Sequence, residues 1–199
     1  MTRSVEFFFD LGSPASWLAW TQLPALAAET DARLFARPVL LGGIFKATGN
    51  RSPVENPAKG QYMLRDLTRF AERYGVSLNF NPKFPLNTLR PMRVLAGVHL
   101  HQPQELSATM EALFRALWVD AVDISDEAVL RDVLERAGLD AEAFLEWAGQ
   151  DEVKEQLKTD TDEAVQRGLF GVPTLFVGDE MFWGQDRLDF VRERLEAAG

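Results

Sequence analysis

The stretch Phe7-Phe8-Phe9-Asp10-Leu11-Gly12-Ser13-Pro14-Ala15-Ser16-Trp17 predicts a strand, a turn and the start of a helix. The aromatic run from Phe7 to Phe9 is typical of a buried strand, and Gly12 permits a sharp turn after it. Pro14 suits the first position of a helix, where its missing N–H is not needed. Ser13 is therefore predicted to be the N-cap, with its hydroxyl beside free backbone N–H groups.

The start of this helix can bind an anion if it faces a cleft. Free backbone N–H groups and the helix dipole favour a negative charge there by about 0.3–1 kcal/mol at an exposed terminus. Serine is also a common N-cap with no further role. The stretch alone therefore leaves two interpretations of Ser13 open, an anion-binding hydroxyl and a plain helix cap.

Composition excludes several classes of protein. The 199 residues are 46% hydrophobic, enough to bury a core as one domain or as one domain with a large insertion. The sequence contains no Cys, which excludes disulfides, thiol redox chemistry and thiolate metal ligands, so any sulfur chemistry requires an added thiol. The net charge of −9 argues against a nucleic-acid partner. His99 and His101 face different ways on a helix, so we expect no bound metal.

The sequence gives no sign of a membrane partner. No positively charged leader precedes an apolar segment, and no apolar run approaches the roughly 20 residues of a membrane-spanning helix. We therefore expect a cytoplasmic protein.

The chain after the first helix alternates between regular and irregular patterns. Residues 33–41 predict a second strand, parallel to the first because a helix connects the two. Residues 42–57 are rich in Gly, Pro and Asn and predict a long loop, with a helical turn at 44–46. Apolar residues recur at helical spacing over 58–74, and Gly75 ends that helix.

A block of helices follows an irregular segment at 79–91. The predicted helices cover residues 91–101, 103–119, 126–137, 141–147 and 150–167. This block separates two α/β parts of the chain.

The C-terminal part predicts a hairpin and a helix. Residues 169–177 form a strand entered through Pro173, Gly178-Asp179 is a tight turn, and 180–183 is the return strand. Gly184-Gln185-Asp186 then opens a final helix. A proline at the entry of such a strand can be held cis.

The order of these elements resembles the thioredoxin fold with the all-helical insertion of DsbA-like proteins, an α/β fold. The resemblance implies a thioredoxin-like domain formed by residues 1–75 and 169–199, with the loop 42–57, and an insertion at 76–168. Thioredoxin-like redox proteins carry Cys-x-x-Cys where this chain has Ser13-Pro14-Ala15-Ser16. The chain therefore cannot cycle a disulfide.

A closer resemblance is to the kappa-class glutathione transferases and the 2-hydroxychromene-2-carboxylate isomerases. It spans nearly the whole chain, and the order and spacing of the motifs carry it. The motifs are Phe9-Asp10-x-x-Ser13-Pro14, the segment from Arg37-Pro38 to Asn50, Lys59-x-x-Tyr62, Phe84-Pro85-x-Asn87-Thr88, Phe170-Gly171-Val172-Pro173-Thr174 and the segment from Gly178 to Leu188.

The resemblance implies that glutathione is the cofactor and that Ser13 is the catalytic residue, donating its hydroxyl to the glutathione sulfur. A hydroxyl donor and a helix N-terminus favour a thiolate over a thiol. The backbone beside a cis-proline would pair with the tripeptide like a further strand. The implied glutathione-binding residues are Ser13, Asn50, Lys59, Val172, Pro173, Gln185 and Asp186; a plain helix cap is the alternative role for Asp186.

The isomerase resemblance implies an aromatic carboxylate substrate, interconverted between 2-hydroxychromene-2-carboxylate and trans-o-hydroxybenzylidenepyruvate in aromatic catabolism. Such a substrate requires a cation and hydrogen-bond donors beside an apolar wall. Lys46 is the first choice for its carboxylate. The full set of candidates is Lys46, Asn56, Pro57, Asn87 and Trp17, with Arg51 and Phe84 nearby. For Arg51 and Asn87 a solvated loop position is the simpler interpretation, and for Trp17 the alternative is a core or rim aromatic residue.

Two alternative functions stay open at this point. A kappa-like transferase or peroxidase would share Ser13 and the glutathione site but let the thiolate attack an electrophile irreversibly. A non-redox DsbA-like protein would bind thiol peptides without catalysis. Because kappa-class relatives are dimers, the resemblance also implies a homodimer.

Overall fold

The computed structural model describes residues 3–197 and contains one four-stranded mixed sheet in the order β2-β1-β3-β4. The central strand β1 pairs parallel with β2, from Ser4 opposite Arg33 to Phe9 opposite Pro38. It pairs antiparallel with β3, which forms a hairpin with β4. The strands are β1 (Ser4–Phe9), β2 (Arg33–Pro38), β3 (Thr174–Val177) and β4 (Glu180–Trp183).

Helices pack around the sheet, and α2 to α8 lie between β2 and β3 in the chain. Within residues 3–197, no helix is both long and apolar enough to cross a membrane. The helices are α1 (Pro14–Glu29), α2 (Leu41–Thr48), α3 (Pro57–Tyr74), α4 (Leu89–His101), α5 (Leu106–Trp118), α6 (Glu127–Arg136), α7 (Ala141–Trp147), α8 (Asp151–Gln166) and α9 (Leu188–Ala197).

The aromatic run of β1 contributes to the core on both faces of the sheet, because successive strand residues point to opposite sides. Phe7 and Phe9 stack at 5.3 Å on one face, where Phe9 also meets Phe114 of α5. Phe8 packs on the other face, edge-on to Phe176 at 5.8 Å. All three residues of the run are buried, and each contributes about 1.5–3 kcal/mol to folding. The predicted buried strand is confirmed.

The helical block covers the turn that follows β1. Trp118, at the end of α5, is fully buried and its indole N–H donates to the carbonyl of Leu11 at 2.8 Å. Phe114, one turn earlier, also packs against Trp17 of α1. These contacts hold the turn between β1 and α1 against α5.

The thioredoxin-like fold with helical additions is confirmed, while the predicted domain boundaries at 1–75, 76–168 and 169–199 stay a prediction. One cluster of buried apolar side chains draws members from all three ranges. Helix α8, near the end of the predicted insertion, packs against β2 and α2. Residues 1–2 and 198–199 lie outside the described part of the chain.

The helical turn predicted at 44–46 is confirmed, but the prediction that the rest of 42–57 is a long loop is wrong for 42–48 and 53–55. The segment contains most of α2 and a short 3-10 helix at Pro53–Glu55. Leu41 and Ile44 lie on one side of α2, and Ile44 is fully buried in a cluster with the sheet residues Phe8 and Phe176 and with Ala164 of α8. Burial of this side offsets the low helix propensity of the two glycines in the first turn.

Other boundaries differ from the predictions by a few residues. Strand β2 ends at Pro38 instead of residue 41, because α2 begins directly afterwards. Strand β3 begins at Thr174 instead of residue 169, since Pro173 has no N–H to offer the ladder. The predicted helices of the block at 91–167 are all present, and α7 has the predicted bounds Ala141–Trp147.

Candidate functional site

A cleft of about 370 Å³ opens at the N-terminus of α1. Its walls come from the turn after β1, from α2 and the segment that follows it, from α3, and from the segments before β3 and after β4. The cleft brings together every residue that the sequence assigned to glutathione: Ser13, Asn50, Lys59, Val172, Pro173, Gln185 and Asp186.

Ser13 lies at the floor of this cleft and is 5% exposed. Its hydroxyl oxygen accepts a hydrogen bond from the backbone N–H of Ser16 at 3.2 Å, so its predicted role as N-cap of α1 is confirmed. The hydroxyl donates to the carbonyl of Val172, also at 3.2 Å. The oxygen therefore lies between the helix N-terminus and the segment that precedes β3.

The backbone from Gly171 to Pro173 forms one side of the cleft. The Val172–Pro173 peptide bond is cis, and the Pro173 carbonyl accepts from the N–H of Gly184 at 3.0 Å. A Cβ at Gly171 would lie 2.9 Å from Nε1 of Trp183, so the indole can approach only because this residue is glycine. Within residues 3–197 the N–H of Val172 donates no hydrogen bond. An extended ligand backbone can therefore pair with it.

The turn after β4 presents Gln185 and Asp186 to the cleft. Gly184 has φ 104°, and a Cβ there would lie 2.6 Å from Oδ1 of Asp186, so this position requires glycine. Gln185 and Asp186 lie in a 3-10 turn that precedes α9, which corrects the prediction that they open the final helix directly. The Asp186 carboxylate pairs with Arg187.

Tyr74, at the end of α3, anchors this turn. Its hydroxyl donates to the Gln185 carbonyl at 2.7 Å. Burial, followed by the negative charges of Asp186 and Asp189, raises the pKa of the Tyr74 phenol to about 12. The phenol therefore stays a hydrogen-bond donor at neutral pH. The sequence reasoning assigned no role to this residue, and its place among the apolar residues of a helix gave no signal of one.

Asn50 and Lys59 lie at the exposed rim of the cleft. The Asn50 amide donates to the carbonyl of Phe170 at 2.7 Å, which ties the end of α2 to the segment before β3. Lys59 lies in the first turn of α3, whose N-cap is Asn56. Its ammonium group lies on this rim together with Arg51, whose guanidinium is 3.9 Å from the Glu55 carboxylate. A carboxylate at this end of the cleft would be attracted by both side chains.

A second cleft, of about 390 Å³, adjoins the first. The two share lining residues from the turn after β1, from α2 and from the segment between α3 and α4, including Gly12, Leu41 and Phe84. Asn87 lines this second cleft. A compound held there would lie beside the Ser13 turn.

The other predicted substrate residues are not brought to these two clefts. Asn56 lines a neighbouring polar pocket formed by residues 49–59. Lys46 and Pro57 are exposed and line none of the three pockets. Trp17 is 3% exposed, and its indole N–H donates to the carbonyl of Ser77 at 3.0 Å. Trp17 is therefore a core residue, which corrects the prediction that it forms part of the substrate wall.

Asp10 is a further residue of the site that the sequence reasoning left without a role. Its carboxylate is 3% exposed and accepts hydrogen bonds from Gly12, Leu41 and Thr88. Burial raises the pKa of the Asp10 carboxyl, although these hydrogen bonds act in the opposite direction. An acidic residue directly after a buried aromatic strand was the available signal.

Comparison with known proteins identifies the families that this chain is similar to. Residues 4–196 match the model of the DSBA-like thioredoxin domain. The chain is 34% identical to 2-hydroxychromene-2-carboxylate isomerase of Sphingobium xenophagum, over 98% of this chain and 99% of that protein. It is 31% identical to Glutathione S-transferase kappa 1 of Homo sapiens, over 98% of this chain and 92% of that protein.

Among solved structures, a 2-hydroxychromene-2-carboxylate isomerase superposes with a TM-score of 0.87 and 29% identity. The superposition covers 98% of this chain and 95% of that one. The resemblance inferred from the motifs is therefore confirmed over the full length of the chain. The chain belongs to the DsbA-like thioredoxin-domain family and, within it, to the group of enzymes formed by the 2-hydroxychromene-2-carboxylate isomerases and the kappa-class glutathione transferases.

Proposed function

We propose that the protein is a glutathione-dependent isomerase that interconverts 2-hydroxychromene-2-carboxylate and trans-o-hydroxybenzylidenepyruvate, with Ser13 stabilising the glutathione thiolate. The observation that carries the proposal is that one cleft is lined by Ser13, at a helix N-terminus, by Val172, whose N–H donates no hydrogen bond within residues 3–197, and by Asp186. The relatives named as this isomerase, at 34% identity in one case, support the reaction.

The residues of the cleft fit the chemistry of a thiol tripeptide. Such a ligand has a central peptide unit, two carboxylates, one amine and one thiol. The N–H of Val172 suits the peptide unit, Lys59 suits a carboxylate and Asp186 suits the amine. Gln185 and the 3-10 turn offer polar groups for the other carboxylate. The volume of about 370 Å³ lies within the usual range for small-molecule sites.

When bound, glutathione would supply a thiolate that adds reversibly to a conjugated double bond, so that rotation can follow. The protein's own contribution is to hold the negative charge of the sulfur. The Ser13 hydroxyl can turn from the Val172 carbonyl, where its bond is long at 3.2 Å, toward the cleft. A hydrogen bond to a charged acceptor contributes about 1.5–3 kcal/mol, equivalent to a thiol pKa lowered by about 1–2 units.

The second cleft is the proposed place for the aromatic acid. Leu41, Phe45 and Phe84 supply apolar surface next to the Ser13 turn, and Asn87 supplies an amide. Lys46, Asn56 and Pro57 lie outside this cleft. Their proposed role in substrate binding therefore rests only on the substrate that the family resemblance implies. An aromatic acid in the second cleft would be shielded from water on its apolar side.

The test is a turnover assay with glutathione and 2-hydroxychromene-2-carboxylate. We expect the absorbance of the open-chain product to appear while the concentration of free thiol stays constant. No isomerisation by a protein that binds glutathione would contradict the proposed reaction. Loss of thiol with 1-chloro-2,4-dinitrobenzene would instead favour the transferase alternative, which the relatives named as kappa-class transferases support at 31% identity.

The third candidate function, binding of thiol peptides without catalysis, predicts no turnover by the wild-type protein in either assay, so turnover by the wild type would exclude it. Undiminished turnover by a folded Ser13→Ala variant would remove Ser13 from the mechanism.

A further inference from the structure

A buried carboxylate joins the Ser13 turn to both walls of the second cleft. Oδ1 of Asp10 accepts from the N–H of Gly12 and from the hydroxyl of Thr88, each at 2.8 Å. Oδ2 accepts from the N–H of Leu41, also at 2.8 Å. These three donors belong to the turn before α1, the first residue of α2 and the residue before α4. One side chain therefore connects three segments that are distant in sequence.

The backbone of the same residue holds Ser13 itself. The Asp10 carbonyl accepts from the N–H of Ser13 at 3.0 Å. Asp10, Leu41 and Thr88 all line the second cleft, whereas Ser13 lines the first. Asp10 thus lies at the boundary between the two clefts and contacts a wall of each.

Burial of a carboxylate is energetically unfavourable, and a stable fold does not need a carboxylate at a buried position. A carboxylate in an apolar interior loses its hydration, and an apolar residue of similar size is often as stable or more stable in such a place. Asp10 has no cationic partner; within residues 3–197 its carboxylate is held by two backbone N–H groups and one hydroxyl. The three hydrogen bonds instead specify where three segments lie.

We propose that Asp10 is a positioning residue that holds α2 and the segment 84–89 at a fixed distance from Ser13, and so shapes the second-substrate cleft more than it affects the residues assigned to glutathione, none of which hydrogen-bonds to its side chain within residues 3–197. This inference rests on the proposed function for its link to the second substrate. Its structural part concerns the chain alone.

The structural part is tested by amide hydrogen exchange on Asp10→Asn and Thr88→Val. The Asn amide would place a donor against another donor, and Val removes the Thr88 hydroxyl. We expect exchange to become about 5- to 10-fold faster in 41–48 and 84–92, the loss produced by one hydrogen bond, and to stay unchanged in α6. Thr109→Val is the matched control, because Thr109 is also buried and its hydroxyl donates to the carbonyl of Glu105, the N-cap of α5, four residues earlier.

The functional part is tested by separating the two ligands. We expect Asp10→Asn and Thr88→Val to raise KM for 2-hydroxychromene-2-carboxylate about 5- to 10-fold, while the glutathione Kd from calorimetry changes less than about twofold. Thr88→Ser, which keeps the hydroxyl, should restore the wild-type KM. Thr109→Val should lower Tm without changing KM.

Several outcomes would overturn the inference. They are unchanged exchange in both segments, a uniform increase across the chain, a change of the same pattern in Thr109→Val, or parallel changes of KM and glutathione Kd. A wild-type protein that binds glutathione without isomerising the chromene would refute the proposed reaction only. The exchange pattern would still decide whether Asp10 positions the two walls.

Discussion

Replacing Ser13 by Ala separates the two roles that the sequence left open, helix cap and thiolate donor. Loss of the N-cap bond to Ser16 should destabilise the protein by about 1 kcal/mol, which lowers Tm by about 2–4 °C for a chain of this size. Loss of the donor to the sulfur should raise the pKa of the bound glutathione thiol by about 1–2 units. A plain cap produces only the first effect.

The assay is the thiolate absorbance near 240 nm of the glutathione complex as a function of pH. We expect the wild-type complex to titrate well below the usual thiol pKa of about 8.5, and Ser13→Ala to titrate at or above it. The isomerisation rate at pH 7 should fall about 8- to 25-fold in parallel, since that is the change in the thiolate fraction when a thiol pKa of about 6.5–7.5 rises to about 8.5.

Ser16→Ala is the matched control for this experiment. Ser16 lies one turn further along α1, and its buried hydroxyl has no hydrogen-bond partner within residues 3–197. Its removal should leave the thiol pKa unchanged. Equal thiol pKa values in the wild type and Ser13→Ala would refute the assignment of Ser13 as the thiolate donor, even if Tm falls as expected.

Three further predictions concern the groups around the site. Tyr74→Phe removes the donor to the Gln185 carbonyl and should weaken glutathione binding about fivefold, as measured by calorimetry. The variant should also lose the phenol that ionises near pH 12 in an absorbance titration, and an unchanged titration would contradict the assignment of that pKa to Tyr74. Gly184→Ala adds a Cβ 2.6 Å from Oδ1 of Asp186 at a residue with φ 104°. Tm should therefore fall by several degrees, and the affinity for glutathione should fall at least tenfold. An affinity equal to that of the wild type would show that Asp186 is dispensable for binding. Because burial raises the pKa of Asp10 in the folded protein, the free energy of unfolding should fall as pH rises from 3.8 through that raised pKa. When the free energy of unfolding is measured by urea denaturation at several pH values, Asp10→Asn should make its dependence on pH weaker. An unchanged dependence on pH would show that Asp10 is not its cause.

Sequence reasoning succeeded where the determining contacts are local. The N-cap at Ser13 depends on Pro14 and on the N–H of Ser16, all within one helical turn. Helix α7, from Ala141 to Trp147, depends on its own apolar spacing and on the N-cap Asp140. Patterns within a single turn are readable without knowledge of the fold.

It failed where the determining contact is distant. The glycines at the start of α2 indicate a loop, and only the burial of Ile44 against the sheet outweighs them. Trp17 follows the Ser13 turn closely, but the α5 residue Phe114, 97 positions further along the chain, packs against it. Asp10 bonds to Leu41 and Thr88, which are 31 and 78 residues away. Its network becomes visible only once the chain is folded.

Trp183, whose indole lies against Gly171, is an intrinsic fluorescent probe of the cleft. Of the five tryptophans, Trp17, Trp20 and Trp118 are buried and Trp147 is partly buried, while Trp183 is 49% exposed and lines the cleft beside Phe170. Buried indoles emit at short wavelength and respond little to solvent, and Trp147 packs on His101 and Phe144 and not in the cleft. Changes at the red edge of the emission spectrum that follow ligand binding would therefore come mainly from Trp183. Occupancy of the cleft can therefore be followed by intrinsic fluorescence, without a label and before any substrate is known.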